Sequence, residues 1–313
     1  MNTLLAVGED LAARLYPNRL PAAVWSGPDD PRLARTQVLI TGWGTPTIDA
    51  TFLARRAPEL RLVVHTGGTV RDTVEGSLID RGRLVVSSAA AVNARPTAET
   101  ALALIVLAGK RAWLRSRIDD VDGAVAVPGL CGTTVGVIGA SHVGRHVMRL
   151  LAAYDVRILL VDPFIGEAEA KTRFQARLVD LDTLCRTSDI VTIHAPDLPE
   201  TRHLLDAARL GLIRDGGVVV NTARGAIVDT EALTRECAAG RLDAALDVTD
   251  PEPLPAGHRL RRLPNVLLTP HLAGSAGREL HRLGAFALDE IGRFAAGEPL
   301  RGAVTATDRG RIA

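Results

Sequence analysis

Lysine is almost missing from this chain: Lys110 and Lys171 are the only two among 37 basic residues, and the rest are arginine. That imbalance reads as coding bias rather than function, because 36 acidic residues leave a formal net charge of only +1. With no excess of either sign, the composition gives no reason to expect a nucleic acid or a membrane surface as partner. Cysteine is sparse too. Cys131, Cys185 and Cys237 stand far apart with no C-x-x-C among them, which argues against a zinc site and against a disulfide framework and suits a reducing cytoplasm. No metal is expected.

Long apolar runs are absent as well. The longest, "ALALIVLAG" from Ala101, lies between Glu99 and Lys110. It falls far short of the about 20 residues that a bilayer span requires, so a buried helix is expected there. At the N-terminus, "MNTLLAVGED" has no basic residue ahead of its short apolar run and is closed by Glu9 and Asp10, so no signal peptide is expected. Internal repeats and low-complexity segments are also lacking.

What remains is an ordinary globular composition, 47% hydrophobic and 23% charged over 313 residues, with room for two domains. The central portion alternates short β-branched runs with helical patterns, the signature of parallel strands joined by crossover helices. Its strands are expected at 134–139, 157–162, 189–195, 216–223, 242–248 and 265–270. Nearly every residue in them is apolar, as befits strands covered on both faces. An earlier set is expected at 4–8, 37–43, 60–68 and 83–89. Near the end, Leu280, Leu283, Phe286, Ala287, Ile291 and Phe294 form the apolar stripe of an amphipathic helix closed by Gly297. That helix could pack back onto the N-terminal half, leaving the central sheet as an insertion.

The stretch "TTVGVIGASHVGRHV" places a strand, a glycine turn and a helix start in the order that a dinucleotide-binding fingerprint demands. Gly139 would make the tight turn, and Gly144 would let the helix pack close to the sheet. The helix N-terminus would then face the pyrophosphate. Ser141 stands where the middle glycine is usual, and its hydroxyl is small enough to be tolerated and able to donate to a phosphate. His142 and Val143 follow it at the helix start. Asp162 ends the next strand 23 residues after Gly139, where a carboxylate grips the adenine ribose and repels a 2′-phosphate. The pair favours NAD over NADP.

Three further segments each place a polar residue just after a strand: "NTARG" with Arg224, "DVTDPEPLP" with Asp247 and Glu252, and "TPHLAGSA" with His271. Singly each has a plain reading as a surface charge, a loop acid or a satisfied histidine. Together with "PELRLVVHTGGTV", "NARPTAETALALI", "IHAPDLPETRHLL" and the closing "GEPL", they make the chain resemble the D-isomer-specific 2-hydroxyacid dehydrogenase family over nearly its whole length. The resemblance implies a Rossmann doubly wound parallel sheet inserted into a second, flavodoxin-like α/β substrate domain. The substrate domain would comprise residues 1–98 and 274–313, and the NAD-binding domain residues 99–273.

By the same resemblance Arg224, Glu252 and His271 form the catalytic set. His271 would be the general acid/base, Glu252 would orient it, and Arg224 would hold the substrate carboxylate and polarise the C2 oxygen. Gly67 and Gly68 match a turn whose backbone N–H groups meet the substrate carboxylate. Thr97, His194, Pro196, Thr201, Thr222, Ala223, Asp247 and Gly274 match positions that line the cofactor, Asp247 at the nicotinamide carboxamide and Gly274 near the same ring. The implied partners are a small 2-hydroxy or 2-keto acid and a second copy of the chain in a cytoplasmic homodimer, with the long helix beginning near Glu99 as an interface element. An NAD(H)-sensing binding protein of the corepressor kind, on the same scaffold, is the alternative. It need not keep the Arg224, Glu252 and His271 set, though some sensors do keep it.

Overall fold

The computed structural model describes residues 1–118 and 126–307. The chain divides into two compact units, Met1–Ala94 with Ser275–Ala313, and Arg95–Gly274. Residues 119–125 and 308–313, which the sequence reading assigned to the two domains, lie outside the described residues.

The first unit is built on five parallel strands: β1 (Thr3–Ala6), β2 (Ala23–Val24), β3 (Val38–Thr41), β4 (Leu62–His65) and β5 (Val85–Ser88). Their spatial order is β2-β1-β3-β4-β5, the flavodoxin-like doubly wound order. Because side chains alternate across a strand, one set of residues feeds each face. Leu4, Ala6, Leu39, Val63 and Val86 pack with Phe52, Leu53 and Leu60 on one side. On the other, Leu5, Val38, Ile40, Leu62 and Val64 pack with Leu280, Leu283 and Ala287.

Those last three residues belong to the helix Leu280–Ala296, whose Phe286, Ile291 and Phe294 are partly buried against the same cluster. Gly297, at φ +71, closes it in the left-handed conformation that glycine adopts without cost. A buried carboxylate then fastens the chain that follows. Glu290 is wholly buried and accepts hydrogen bonds from Ser87 Oγ, Arg301 N–H (2.9 Å) and Gly302 N–H (3.1 Å), which lays the 301–304 segment beside β5.

The second unit carries seven parallel strands: β6 (Thr133–Ile138), β7 (Val156–Val161), β8 (Ala176–Leu178), β9 (Ile190–Ile193), β10 (Val218–Asn221), β11 (Asp243–Leu246) and β12 (Val266–Leu268). Their order, β12-β11-β10-β9-β6-β7-β8, reverses between β6 and β9. This is the Rossmann arrangement, which opens a ligand crevice at the carboxyl ends of those two strands. The helix His142–Leu151 buries Val147, Met148 and Leu151 against one face of the sheet.

All ten strands expected from the sequence are present; β6 and β7 keep their six-residue length one residue earlier, and the other eight are shorter because their ends leave the sheet as loops. Two strands had no sequence signal: β2, a two-residue edge in a Pro-rich stretch, and β8, a three-residue edge. The helix expected near Glu99 instead begins at Ala90 and runs to Gly109, straight through Pro96. A proline there removes one intrahelical hydrogen bond, and the buried residues Ala98, Ala101 and Ile105 hold the helix in place regardless.

Candidate active site

The turn after β6 shows why its glycines differ in importance. Gly139 has φ +95, and a Cβ there would come within 2.7 Å of the Ala195 nitrogen. A Cβ on Gly144 would meet the Gly139 carbonyl oxygen at 2.0 Å, so the helix can approach the turn this closely only without one. Ser141 has φ −60, a backbone conformation that does not require glycine. It is the N-cap of the helix His142–Leu151, with Oγ accepting from Gly144 N–H at 3.4 Å. The following residues, exposed His142 and half-buried Val143, form the helix start, where backbone N–H groups lack intrahelical partners.

Asp162 follows β7 and reaches back to this turn. Its Oδ2 accepts from Ala140 N–H at 2.7 Å, and its Oδ1 accepts from Phe164 N–H at 2.8 Å. Each oxygen keeps a further lone pair, the acceptor capacity that a ribose diol requires. Two buried polar atoms stand at neighbouring strand ends without a hydrogen-bond partner: His194 Nδ1 after β9 and Thr222 Oγ1 after β10. Native structures rarely leave such atoms unsatisfied. His194 lies beside the Gly139–Gly144 cradle, where an unpaired ring nitrogen fits a polar ligand in the crevice.

Burial alone pushes the His194 imidazole down to about 3, so it is neutral at physiological pH, with Nε2 paired to Thr192 Oγ1 at 3.0 Å. Nearby, Thr201 uses its hydroxyl to build the loop. Oγ1 donates to the carbonyl of half-buried Pro196 at 2.6 Å and accepts from Leu198 N–H at 2.8 Å. Thr97 and Ala223 are buried and Gly274 is half-buried.

Arg224, Glu252 and His271 all lie on loops beyond the carboxyl ends of β10, β11 and β12. Asn221 braces the first of these, its side chain accepting from Ala223 N–H at 3.0 Å and donating to the Arg224 carbonyl at 2.9 Å. Arg224 is half-buried, and its Nη1 donates to the Ala223 carbonyl at 2.6 Å. A Cβ on Gly225 would meet the Thr249 carbonyl carbon at 2.0 Å, so the arginine turn abuts the loop that leads to Glu252. His271 Nδ1 lies 2.7 Å from Glu252 Oε1. A carboxylate can only accept, so Nδ1 carries the hydrogen and Nε2 presents a lone pair.

Asp247 organises the histidine loop. Its buried carboxylate accepts from Thr269 Oγ1 at 2.6 Å, Leu272 N–H at 2.9 Å and Ala273 N–H at 2.9 Å. The Asp247 carbonyl also receives His271 N–H at 3.0 Å, which holds the histidine at φ +51, an unusual conformation for a non-glycine residue.

In the first unit, Gly67 and Gly68 follow β4. Ser88 Oγ donates to the Gly68 carbonyl, and a Cβ on Gly67 would lie 2.5 Å from His65 Nε2. His65 is buried and paired with Thr41 Oγ1 at 3.0 Å, and burial pushes its imidazole down to about 4. A neutral ring therefore underlies this turn. Among the described residues no group of three or more metal-ligating side chains occurs, and no helix is long and apolar enough to cross a membrane.

Residues 108–273 match the family model for the NAD-binding domain of D-isomer specific 2-hydroxyacid dehydrogenases. The chain belongs to this family. A relative in the dehydrogenase family, the D-3-phosphoglycerate dehydrogenase of Archaeoglobus fulgidus, is 34% identical over 269 residues, which cover 82% of this chain and 49% of the relative. The glyoxylate reductase of Aeropyrum pernix is 32% identical over 266 residues, covering 81% of this chain and 78% of that one. The fold also matches the crystal structure of Rhodotorula graminis D-mandelate dehydrogenase, with a TM-score of 0.81 at 21% identity over 97% of each chain. The chain spans about half the length of the phosphoglycerate dehydrogenases it matches.

Three site-building residues had escaped the sequence reading. Asn221 carries a signal that sequence alone offers, an Asx brace directly after a strand. Thr269 and Ser88 carry none, because their partners Asp247 and Gly68 are distant in the chain.

Proposed function

We propose that the protein is an NAD-dependent oxidoreductase that interconverts a small D-2-hydroxy acid and its 2-keto acid. The observation that carries this reading is the 2.7 Å contact between His271 Nδ1 and Glu252 Oε1 on a loop latched by Asp247. His271 Nε2 accepts the hydroxyl proton during oxidation and returns it to the C2 oxygen during reduction. Glu252 fixes the tautomer and stabilises the imidazolium as it forms. Arg224, with a planar fork of donors, holds the substrate carboxylate and polarises the C2 oxygen. The Gly67–Gly68 turn is proposed, by the family resemblance, to offer its backbone N–H groups to a substrate carboxylate. NAD, when bound, takes up or supplies the hydride at C2.

Gly139, Ser141, His142, Val143 and Gly144 would cradle the pyrophosphate, with Asp162 on the adenine ribose. Thr97, His194, Pro196, Thr201, Thr222, Ala223, Asp247 and Gly274 would line the remainder. A cytoplasmic homodimer using the helix Ala90–Gly109 completes the proposal. A sensor that only binds NAD(H) does not require the histidine–carboxylate pair, though some keep it, and the pair therefore favours turnover.

The test is NADH oxidation with a panel of 2-keto acids, glyoxylate, pyruvate and hydroxypyruvate among them. Turnover with at least one is expected, and NADH binding without turnover of any of them would favour the sensor. Arg224→Lys should lower kcat/KM by about a hundredfold, since a point charge replaces a bidentate fork; an unchanged kcat/KM would remove Arg224 from the reaction. For Asp162, fluorescence titration should show NADH bound at least about a hundredfold more tightly than NADPH, because facing like charges cost several kcal/mol. Equal affinities would refute its role at the ribose.

A further inference from the structure

Ala140 stands between Gly139 and Ser141, and side chains hold both of its backbone polar groups. Asp162 Oδ2 accepts from its N–H at 2.7 Å, and Arg145 Nε donates to its carbonyl at 2.8 Å. Ala140 is buried, and buried backbone groups need such partners. On the strand side, Gly139 N–H donates to the Val161 carbonyl at 2.9 Å and His194 N–H to the Ile138 carbonyl at 2.7 Å, which seats the turn on the sheet.

Arg145 lies in the helix His142–Leu151, but its guanidinium is fixed from a second helix, Glu167–Phe174. Nη1 donates to Glu169 Oε1 at 3.2 Å, and Cζ lies 5.5 Å from the centroid of the buried Phe174 ring. Two nitrogens of one planar fork thus reach acceptors on two separate elements, a span that the single nitrogen of an ammonium lacks. Glu169 also accepts from Arg173 Nη1 at 2.9 Å, so the anchor is itself tied to its helix. All of these groups belong to the unit Arg95–Gly274.

The Ala140 carbonyl and the Ser141 N–H are two ends of one peptide group. That group is planar and trans, so holding the carbonyl fixes the direction of the N–H. Arg145 therefore sets where the Ser141 N–H points, at the head of the helix that the pyrophosphate is proposed to meet.

We infer that Arg145 is a positioning residue for the dinucleotide: anchored by Glu169, it acts through the Ala140 carbonyl to orient the turn, rather than by its charge. This assignment rests on the placement of the pyrophosphate at this turn, proposed above. The experiment is fluorescence titration of NADH onto the native protein, R145M, R145K, E169A and H142E. R145M keeps an apolar stem on Phe174 and removes both donors, and its Kd should rise about tenfold, the weight of one charge-assisted hydrogen bond. R145K keeps the charge without the fork and should lose nearly as much affinity.

E169A separates the clamp from a simple field, because the two predict opposite signs. Removing a carboxylate makes the region more positive, which would tighten an anion held by charge alone, whereas losing the anchor should weaken NADH about threefold, the size of a partly exposed ion pair. Glu169 is half-buried on a helix where alanine is well tolerated, so this variant keeps the test open if R145M does not fold. With any 2-keto acid that is turned over, R145M should raise KM for NADH and leave kcat at saturating NADH near its native value. Native affinity in R145M or R145K, tighter binding in E169A, or a lowered kcat with KM unmoved overturns the clamp.

H142E tests the underlying placement. His142 is exposed in the first turn, where an acidic residue favours the helix, and a carboxylate facing the pyrophosphate should weaken NADH at least about tenfold. Weakened binding in H142E with native affinity in R145M and E169A overturns the role of Arg145 alone. Native affinity in H142E overturns the placement of the pyrophosphate and this assignment with it.

Discussion

Replacing His271 with alanine should lower kcat for 2-keto acid reduction by about a thousandfold, within the range that a positioned acid/base supplies, while NADH affinity measured by fluorescence stays nearly constant. The side chain is 52% exposed and makes its recorded hydrogen bond to a single partner, Glu252, so its removal opens no cavity and leaves no buried group unpaired. Lost activity would therefore report lost proton transfer rather than unfolding. The proton has to come from a group that can both hold and release it near neutral pH, and the imidazole is oriented for that by the carboxylate at Nδ1. A variant with near-native kcat would take His271 out of the mechanism.

Asp247→Ala should be nearly as damaging, for a different reason. Thr269 Oγ1, Leu272 N–H and Ala273 N–H all lose their acceptor together, and the loop that places His271 loses its latch. Stranding buried donors costs on the order of 3 kcal/mol in stability, read as a fall in Tm. Displacing the imidazole by about 1 Å costs roughly a hundredfold in rate. The separating measurement is kcat at a temperature well below the variant's Tm: a folded protein with native kcat would show that Asp247 is not needed to place the histidine. Asp247→Asn should give a smaller loss, since one acceptor oxygen remains.

The sequence matches the structure best where local chemistry carries the information. The alternation of β-branched runs with helical patterns located every strand whose two faces are buried, because such a strand must be apolar throughout. Gly139 and Gly144 were recognisable because each allows a backbone approach that a Cβ would block. Edge strands β2 and β8 were not, since two or three residues at a sheet border bear no periodic pattern. The start of the helix Ala90–Gly109, expected near Glu99, also lay further upstream, because the buried face of the helix carries it through Pro96.

Ser141 shows the difference most clearly. In sequence it is a departure from a glycine motif, whereas in the fold it has φ −60, which any residue adopts, and it caps the helix. Asp247 changed in the same way, from a residue matched to a cofactor contact to one whose carboxylate also holds the histidine loop.

Residue types and their order along the chain thus determined the α/β class and the strand–turn–helix of the dinucleotide fingerprint, while the proposed Arg224, Glu252 and His271 set followed from the family resemblance. These depend on local periodicity and on which side chains can move a proton or hold a carboxylate. Only the tertiary structure decided the reversals of strand order at β1/β3 and β6/β9, the 2.7 Å pairing of His271 with Glu252, and the latch of Asp247 on the histidine loop. Each of these brings together residues far apart in sequence, and their proximity comes from strand pairing and burial across the sheet, which no local stretch of the chain encodes by itself.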